Sequence, residues 1–353
     1  MMFSHQSHVS SRQTEVVGLC AGACTLHSAL CISATLLLSS FTAQANAQDT
    51  HLLVITGVAG DEEHDTQFHE WATTLLDAAQ KRNGVPNARI TYLADKPDID
   101  PARIRGRSTR ANVEKAMADL MASAKADDEV FILLIGHGSF DGQQASFNLS
   151  GPDLTAADWS KLLGNFGSRR VVFVNTASAS GAFLPTVAGP GRTIVTATKT
   201  GGERNEPIFA QFFVAAYADD AADLDRNGRV SVFEAFNYAK TKVTSAYQQR
   251  GTLLTEHAAL DDGRDGRLAA MAYLGAASSA AAMKVDASDP EIRALVAERD
   301  ALDKRVAELK LTKDLIDQAR YEQELEKLLT ELAVKTKAIR DLQATKSVKP
   351  GKP

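Results

Sequence analysis

The sequence is poor in cysteine and has no large excess of either charge. Its three cysteines, Cys20, Cys24 and Cys31, all lie near the amino terminus. If that segment is removed during export, the remaining chain contains no disulfide bond, no thiolate metal ligand and no cysteine nucleophile. The formal net charge of −5 gives no attraction to nucleic acid or to an anionic membrane surface, so we expect neither as a partner.

The amino-terminal segment has the composition of an export signal. An apolar run from Ala29 to Phe41 precedes Ala45-Asn46-Ala47, a small-x-small pattern typical of signal-peptidase cleavage. The run is too short, and its flanks too weakly charged, for a transmembrane helix. We therefore expect residues 1–47 to be a signal peptide cleaved near Ala47. The mature protein would be secreted or periplasmic, with no membrane span.

Short apolar strands alternate with segments of helical spacing along the next part of the chain. The five predicted strands are residues 52–55, 90–93, 130–135, 171–174 and 193–198. Alternation of this kind favours a parallel sheet with helices on its faces. The predicted fold class is α/β, a largely parallel sheet flanked by helices, in a domain of residues 48–274.

Two of these strands end in residues that are able to carry chemistry. His137 lies between two glycines after the third strand, and Ser178 lies in a run of small residues after the fourth. Neighbouring parallel strands end at the same edge of a sheet, so the two side chains are a candidate base and nucleophile. Gly138 lets the backbone approach a ligand closely at this edge.

The residues around these strand ends resemble the caspase and legumain-type group of peptidases (clan CD). "VFILLIGHGSFDG" (130–142) is similar to the histidine motif of that group. "VVFVNTASASG" (171–181) aligns with its nucleophile motif, which is acidic residue, Ala, Cys, any residue, Ser, Gly. The alignment places Ser178 at the cysteine position and Thr176 at the acidic position. The resemblance implies a caspase-like sheet.

The resemblance also implies a dyad of nucleophile and histidine, with the backbone N–H groups of Gly138 and Ser178 as oxyanion donors. A serine hydroxyl is a weak nucleophile unless a base is hydrogen-bonded to it. Two functions follow. The favoured one is a pseudo-peptidase that acts as a binding or scaffold protein for a peptide or protein partner. The other is an active hydrolase or endopeptidase that uses a Ser178–His137 dyad.

A second motif, "DLDRNGRVSVFE" (223–234), fits the EF-hand calcium loop. The residues at its ligand positions are Asp223, Asp225, Asn227, Arg229 (through its backbone carbonyl), Ser231 and Glu234. Gly228 occupies the position of the sharp turn. Apolar residues at helical spacing precede and follow the loop, and the expected cofactor is Ca²⁺. The alternative is a surface turn rich in Asp and Gly that binds nothing.

The carboxyl-terminal part of the sequence loses glycine and becomes rich in Leu, Glu, Lys and Arg. An Ala-rich linker is expected at 275–288, a helical segment at 289–344 and a disordered tail at 345–353. The helical segment fits either one long helix with a phase break or an antiparallel hairpin with Asp317 as the amino-terminal cap. The hairpin is favoured because the phase shift and the cap coincide. Self-association through these helices, as in a coiled coil, is expected.

Overall fold

The computed structural model describes residues 49–224, 227–275, 289–311 and 316–347. The predicted signal peptide and nearly all of the predicted linker lie outside this part of the chain. Among the helices of the described ranges, none is long and apolar enough to cross a membrane.

The described part of the chain contains strands β1 (Thr50–Thr56), β2 (Ile90–Ala94), β3 (Gly106–Arg107), β4 (Glu129–Ile135), β5 (Gly138–Phe140), β6 (Ala145–Phe147), β7 (Leu154–Thr155), β8 (Arg170–Asn175), β9 (Arg192–Thr196) and β10 (Ala259–Asp261). Its α-helices are α1 (Glu62–Lys81), α2 (Arg110–Ser123), α3 (Ala156–Gly164), α4 (Leu184–Val187), α5 (Phe209–Ala216), α6 (Val232–Arg250), α7 (Pro290–Leu311) and α8 (Gln318–Ser347).

A seven-stranded sheet forms the centre of the domain, in the order β10-β9-β8-β4-β1-β2-β3. Its neighbouring strands are parallel except at one edge, where β10 runs antiparallel to β9. The predicted fold class, a largely parallel sheet flanked by helices, is therefore confirmed. The antiparallel edge strand was not predicted from the sequence.

Alternation along β4 explains why the sheet is covered on both faces. Phe131 and Leu133 lie in an apolar cluster with side chains of α1, α5 and α6. Ile132 and Leu134 lie in a second cluster, with side chains of α2 and α3. Because successive residues of a strand point to opposite faces, a continuous apolar run is buried on both sides.

A second, smaller sheet follows β4 directly. Its three strands pair in the order β5-β6-β7, and both pairs are antiparallel. β5 begins at Gly138, the residue after His137. The small sheet therefore starts at the edge of the main sheet where the candidate residues lie.

The carboxyl-terminal helices form an antiparallel hairpin, not one long helix. Ile292 near the start of α7 packs in one cluster with Ile339 near the end of α8. The carboxylate of Asp317 accepts hydrogen bonds from the backbone N–H groups of Ala319 and Arg320, at 3.1 and 3.2 Å. Asp317 is therefore the amino-terminal cap of α8, as predicted.

One boundary differs from the prediction, because α8 continues to Ser347. Residues 345–347, expected as the start of a disordered tail, are helical. Lys346 forms ion pairs with Asp289 and Glu291 at the start of α7, and the next proline is Pro350. Nothing in the sequence breaks the helix before that proline.

Candidate active site at the carboxyl edge of the sheet

His137 follows β4 and is held by a backbone carbonyl. Its Nε2 atom lies 3.0 Å from the carbonyl oxygen of Ala59, which follows β1. A carbonyl only accepts hydrogen bonds, so Nε2 carries the proton and, in the neutral ring, Nδ1 carries the lone pair. The ring also makes edge contacts with His64 and Phe68, at centroid distances of 5.4 and 5.3 Å. The imidazole therefore has a fixed tautomer and a fixed orientation.

Ser178 lies in the turn after β8, beside Gly138, and is buried. Its hydroxyl donates to the carbonyl oxygen of Gly138 at 3.0 Å, and the N–H of Gly138 donates to Ser178 Oγ at 3.3 Å. Among the described residues, no hydrogen bond joins Ser178 to His137. The structure thus brings Ser178 and Gly138 together and gives the serine proton to a backbone carbonyl.

The contact between these two segments requires glycine at position 138. A Cβ atom there would lie 2.5 Å from the carbonyl oxygen of Ser178. Two strand ends of the main sheet can therefore approach each other only with glycine at this position.

The backbone after Ser178 is strained. Ala179 has a φ of +54°, in the left-handed region that alanine rarely adopts. Its N–H donates to the carbonyl oxygen of Glu203 at 2.8 Å, and the N–H of Gly181 donates to Thr198 Oγ1 at 2.8 Å. The segment after β9 thus holds the turn in place. Strain maintained in this way is typical of functional sites.

The polar groups beside Ser178 in the sequence have structural partners. Ser180 is fully buried, and its hydroxyl pairs with that of Thr198 at 3.2 Å. Thr176, at the acidic position of the peptidase motif, donates through Oγ1 to the carbonyl oxygen of Leu134 at 2.7 Å. These hydrogen bonds indicate a structural role for both side chains and not a catalytic one.

His64 is a residue of the site that the sequence analysis did not identify. Its Nε2 lies 2.7 Å from Glu206 Oε2, and its Nδ1 lies 2.8 Å from the carboxylate of Asp61. The hydrogen bonds to Asp61 and Glu206 raise the pKa of His64. A charged His64 joins the start of α1 to the segment after β9, beside His137. His64 and Glu206 are 142 positions apart, so the sequence could not reveal the contact between them.

The calcium-type loop is held by hydrogen bonds within it. The carboxylate of Asp223 accepts from the N–H groups of Asn227 and Gly228, at 3.0 and 2.7 Å. Gly228 has a φ of +85° at the sharp turn. Ser231 and Glu234 form a capping box at the start of α6. Asp225 lies outside the described residues.

The carboxylate of Glu234, in the first turn of α6, is hydrogen-bonded to two residues of the loop. Oε1 accepts from the N–H of Leu224 at 2.9 Å, and Oε2 accepts from the N–H and hydroxyl of Ser231, at 2.9 and 2.8 Å. These bonds bring together Leu224, Ser231 and Glu234, at the second, ninth and twelfth positions of the loop. The oxygens of Ser231 and Glu234 are of the kind that Ca²⁺ prefers, but Glu234 would have to turn from its capping bonds to bind an ion. In the described part of the chain, no group of three His, Cys, Asp or Glu side chains forms a candidate metal site.

The helix before this loop ends earlier than the motif requires. α5 stops at Ala216, and a short 3₁₀ turn, Asp220–Ala222, leads into the loop. Near the end of the loop, Val232 N–H donates to the carbonyl oxygen of Ala272 at 2.8 Å, and Ser231 forms an isolated bridge with Tyr273. The loop is therefore anchored by the chain around residue 272 as well as by α6.

Comparison with known proteins shows a distant structural similarity. No protein-family model matches the chain, and no curated protein matches it. Among solved structures, the Drosophila initiator caspase Dronc is similar at a TM-score of 0.40 and 11% sequence identity, over 60% of this chain and 78% of that chain. The resemblance to the wider peptidase group continues to rest on the residues around His137 and Ser178.

Proposed function

We propose that the protein is an exported, caspase-like pseudo-peptidase that acts as a calcium-stabilised binding or scaffold protein. The observation that carries the proposal is the pairing of Ser178 with the backbone of Gly138. A hydroxyl becomes a useful nucleophile when a base accepts its proton. A peptide carbonyl cannot act as that base. The Gly138 N–H, which the family resemblance assigns to the oxyanion, donates to the serine as well.

The partner in this proposal is a peptide or a protein. The edge of the sheet around His137 carries the two sequence motifs on which the resemblance rests, and His64 and Glu206 place charged groups beside it. Charged and hydrogen-bonding groups on a rigid sheet edge are suited to orienting an extended chain. The carboxyl-terminal hairpin adds a surface for self-association, since Leu329 and Val334 of α8 are exposed.

Calcium has a structural role in this proposal. The loop 223–234 supplies oxygen donors at the motif positions, and it connects to α6 through the capping box of Ser231 and Glu234. An extracytoplasmic location gives calcium concentrations at which a weak site is filled. Binding would stabilise the folded chain by mass action without acting as a signal.

Labelling with a fluorophosphonate probe tests the proposal. We expect no labelling of the purified protein, with or without calcium, because Ser178 has no base. Ser139, an exposed serine in β5 at the same sheet edge, provides a matched control for nonspecific reaction. Labelling that disappears in both Ser178→Ala and His137→Ala, but persists in Ser139→Ala, would establish the hydrolase and exclude the pseudo-peptidase.

A further inference from the structure

A cavity of about 590 Å³ lies between α6, β10 and the turn that follows β10. It is lined on one side by apolar groups, namely Phe233, Phe236, Val243, Leu254 and Leu260. Its charged lining consists of Lys199, Lys240, Glu256, His257, Asp261, Asp262, Arg264 and Asp265. Neither Ser178 nor His137 borders the cavity. It is large enough for a small ligand with an apolar body.

Glu256 is the unusual group in this lining. The residue is only 3% exposed. Its Oε2 accepts from the N–H of Ile208 at 2.7 Å and from the hydroxyl of Tyr247 at 3.4 Å. Its Oε1 is buried and has no hydrogen-bond partner among the described residues. A buried acceptor without a hydrogen-bond donor destabilises the folded protein. Oε1 therefore needs a donor that the described residues do not provide.

The charged neighbours of Glu256 do not provide that partner. His257 pairs with Glu203 at 3.0 Å, and the Lys240 ammonium lies 5.8 Å from the centre of the Phe236 ring. In the described part of the chain, no ion pair joins Glu256 to a basic residue. Burial raises the pKa of Glu256 to about 7, which is the behaviour of a carboxyl group without a cation beside it.

The unpaired oxygen of Glu256 favours a cation as the missing group, although the lining as a whole carries Lys199, Lys240 and Arg264 beside its carboxylates. The Asp262 carboxylate accepts from the N–H groups of Arg264, Gly266 and Ala269, between 2.8 and 3.0 Å. Asp261 accepts from the N–H of Gly263 at 2.8 Å. These two carboxylates are therefore already paired with backbone donors of the turn, whereas Oε1 of Glu256 is not. An anionic ligand would meet that unpaired carboxylate without a cation beside it.

We propose that this cavity binds the ammonium group of a ligand with an apolar stem, with Glu256 as the anchor of the cation. The stem would lie against Phe236, Val243 and Leu254, and the ammonium would donate to Oε1. Aromatic rings beside the cation add a favourable quadrupole interaction. Both a small amine and the lysine side chain of a peptide carry this chemistry.

The cavity is connected to the turn after β8 through one residue. The Glu203 carboxylate accepts from the N–H groups of Lys199 and His257, at 3.1 and 2.9 Å, while its backbone carbonyl accepts from Ala179. Lys199 and His257 both border the cavity. A ligand there would therefore touch groups that position the segment holding Ala179.

Calorimetric titration of the full chain with three probes of matched size tests this site. The probes are benzylamine, its neutral analogue benzyl alcohol and the anion benzoate. We expect only benzylamine to bind measurably, and its affinity to increase from about pH 6 to about pH 8 as Glu256 ionises. In Glu256→Gln the affinity for benzylamine should fall about tenfold or more, because the charged hydrogen bond is lost.

Two further variants keep the test decisive if Glu256→Gln fails to fold. Thr244→Trp fills the cavity from α6 without changing Glu256 and should abolish binding. Glu70→Gln removes an exposed carboxylate of α1 that lies outside the cavity lining and should leave binding unchanged. Absence of benzylamine binding, equal binding of benzoate, or full affinity in Thr244→Trp would overturn the proposal. Tighter binding of Nα-acetyl-lysine methylamide than of benzylamine would identify a peptide as the source, and the reverse order a small amine.

Discussion

At the scale of single residues, the space around Gly138 limits which side chain can follow His137. The neighbouring turn approaches so closely that a methyl group would meet the carbonyl oxygen of Ser178 at 2.5 Å. That carbonyl is backbone and cannot swing away as a flexible side chain would. Any larger residue must push the turn after β8 away from the end of β4.

We expect Gly138→Ala to lower the free energy of unfolding by about 1–3 kcal/mol, the usual cost of overpacking. Urea denaturation followed by circular dichroism measures the change. Gly164 provides the control, since a Cβ atom there meets nothing within 4 Å. Gly164→Ala should leave stability unchanged or raise it slightly. Equal effects of the two substitutions would contradict the close approach at position 138.

His64 should make stability depend on pH. Hydrogen bonds to Asp61 and Glu206 raise its pKa above the ordinary value of 6.5. Its contribution is therefore fully present below about pH 6.5 and is lost as the pH rises through the folded-state pKa. The stability difference between wild type and His64→Gln should shrink from about pH 6 to about pH 9. Urea denaturation at both pH values measures it.

A separate measurement identifies the partners of His64. In Glu206→Gln the ring should titrate at lower pH than in wild type, as followed by NMR. Glu70 lies on the exposed side of α1 and forms no ion pair with His64, so Glu70→Gln should have little effect. An unchanged titration in Glu206→Gln would rule out the contact between α1 and the segment after β9.

At the scale of elements, two helices begin with the same kind of cap but in different surroundings. Thr155 and Asp158 form a capping box at the start of α3, and Ser231 and Glu234 form one at the start of α6. Only the second lies in a loop with the calcium motif. Variants of the two capping boxes can therefore separate the loss of a helix cap from the loss of a calcium ligand.

We expect calcium to raise the melting temperature of wild type, and Glu234→Gln to abolish that rise. A ligand at 100 times its dissociation constant stabilises the folded state by about 2.7 kcal/mol. Asp158→Asn should lower stability by about 1 kcal/mol through the weakened cap and leave the calcium response intact. Differential scanning calorimetry with calcium and with a chelator measures both. A calcium response that survives in Glu234→Gln would exclude the loop as the site.

Elements of this protein differ in how far the sequence predicts them. β4 and β8 are continuous apolar runs, and a run buried on both faces is recognisable without knowledge of its partners. β5, β6 and β7 have two or three residues each, too few for any periodicity to show. Their pairing is therefore visible only in the structure.

The residues of the candidate site also differ in how far the sequence predicts their positions. His137, Gly138 and Ser178 follow predictable strands, so their place at one sheet edge follows from the fold class. The contacts of His64 and Glu256 do not, because each joins residues from distant parts of the chain. Burial of a carboxyl group such as Glu256 has no sequence signal, since most glutamates are exposed.

At the scale of the whole molecule, the hairpin contacts the calcium-type loop. Arg299 of α7 is buried, and its guanidinium donates to the carbonyl oxygen of Asn227 at 3.4 Å and to Thr336 Oγ1 at 3.3 Å. Arg229 lies in the loop with its guanidinium 3.6 Å from the centre of the Tyr273 ring. Burial lowers the pKa of Arg229, while the charges of Asp300 and Asp303 act in the opposite direction.

We expect Arg299→Ala to loosen the hairpin and to reduce the stabilisation by calcium. It removes the donors to Asn227 and Thr336, at a cost of about 1–3 kcal/mol. Limited proteolysis should then release residues 289–347 faster than in wild type. Arg305 lies on the same helix in an exposed pair with Glu331, so Arg305→Ala should change little. Equal proteolysis of the two variants would show that the hairpin is held elsewhere.

The ion pairs of Lys346 with Asp289 and Glu291 bring the last described turn of the chain back to where the hairpin begins. Because its two ends meet, we expect the hairpin to behave as an exchangeable unit. Lengthening it by whole heptads, or replacing it with another hairpin, should leave the point at which the chain enters it in place. The loop near residue 227 would then distinguish one such unit from another, because Arg299 of this hairpin donates to it.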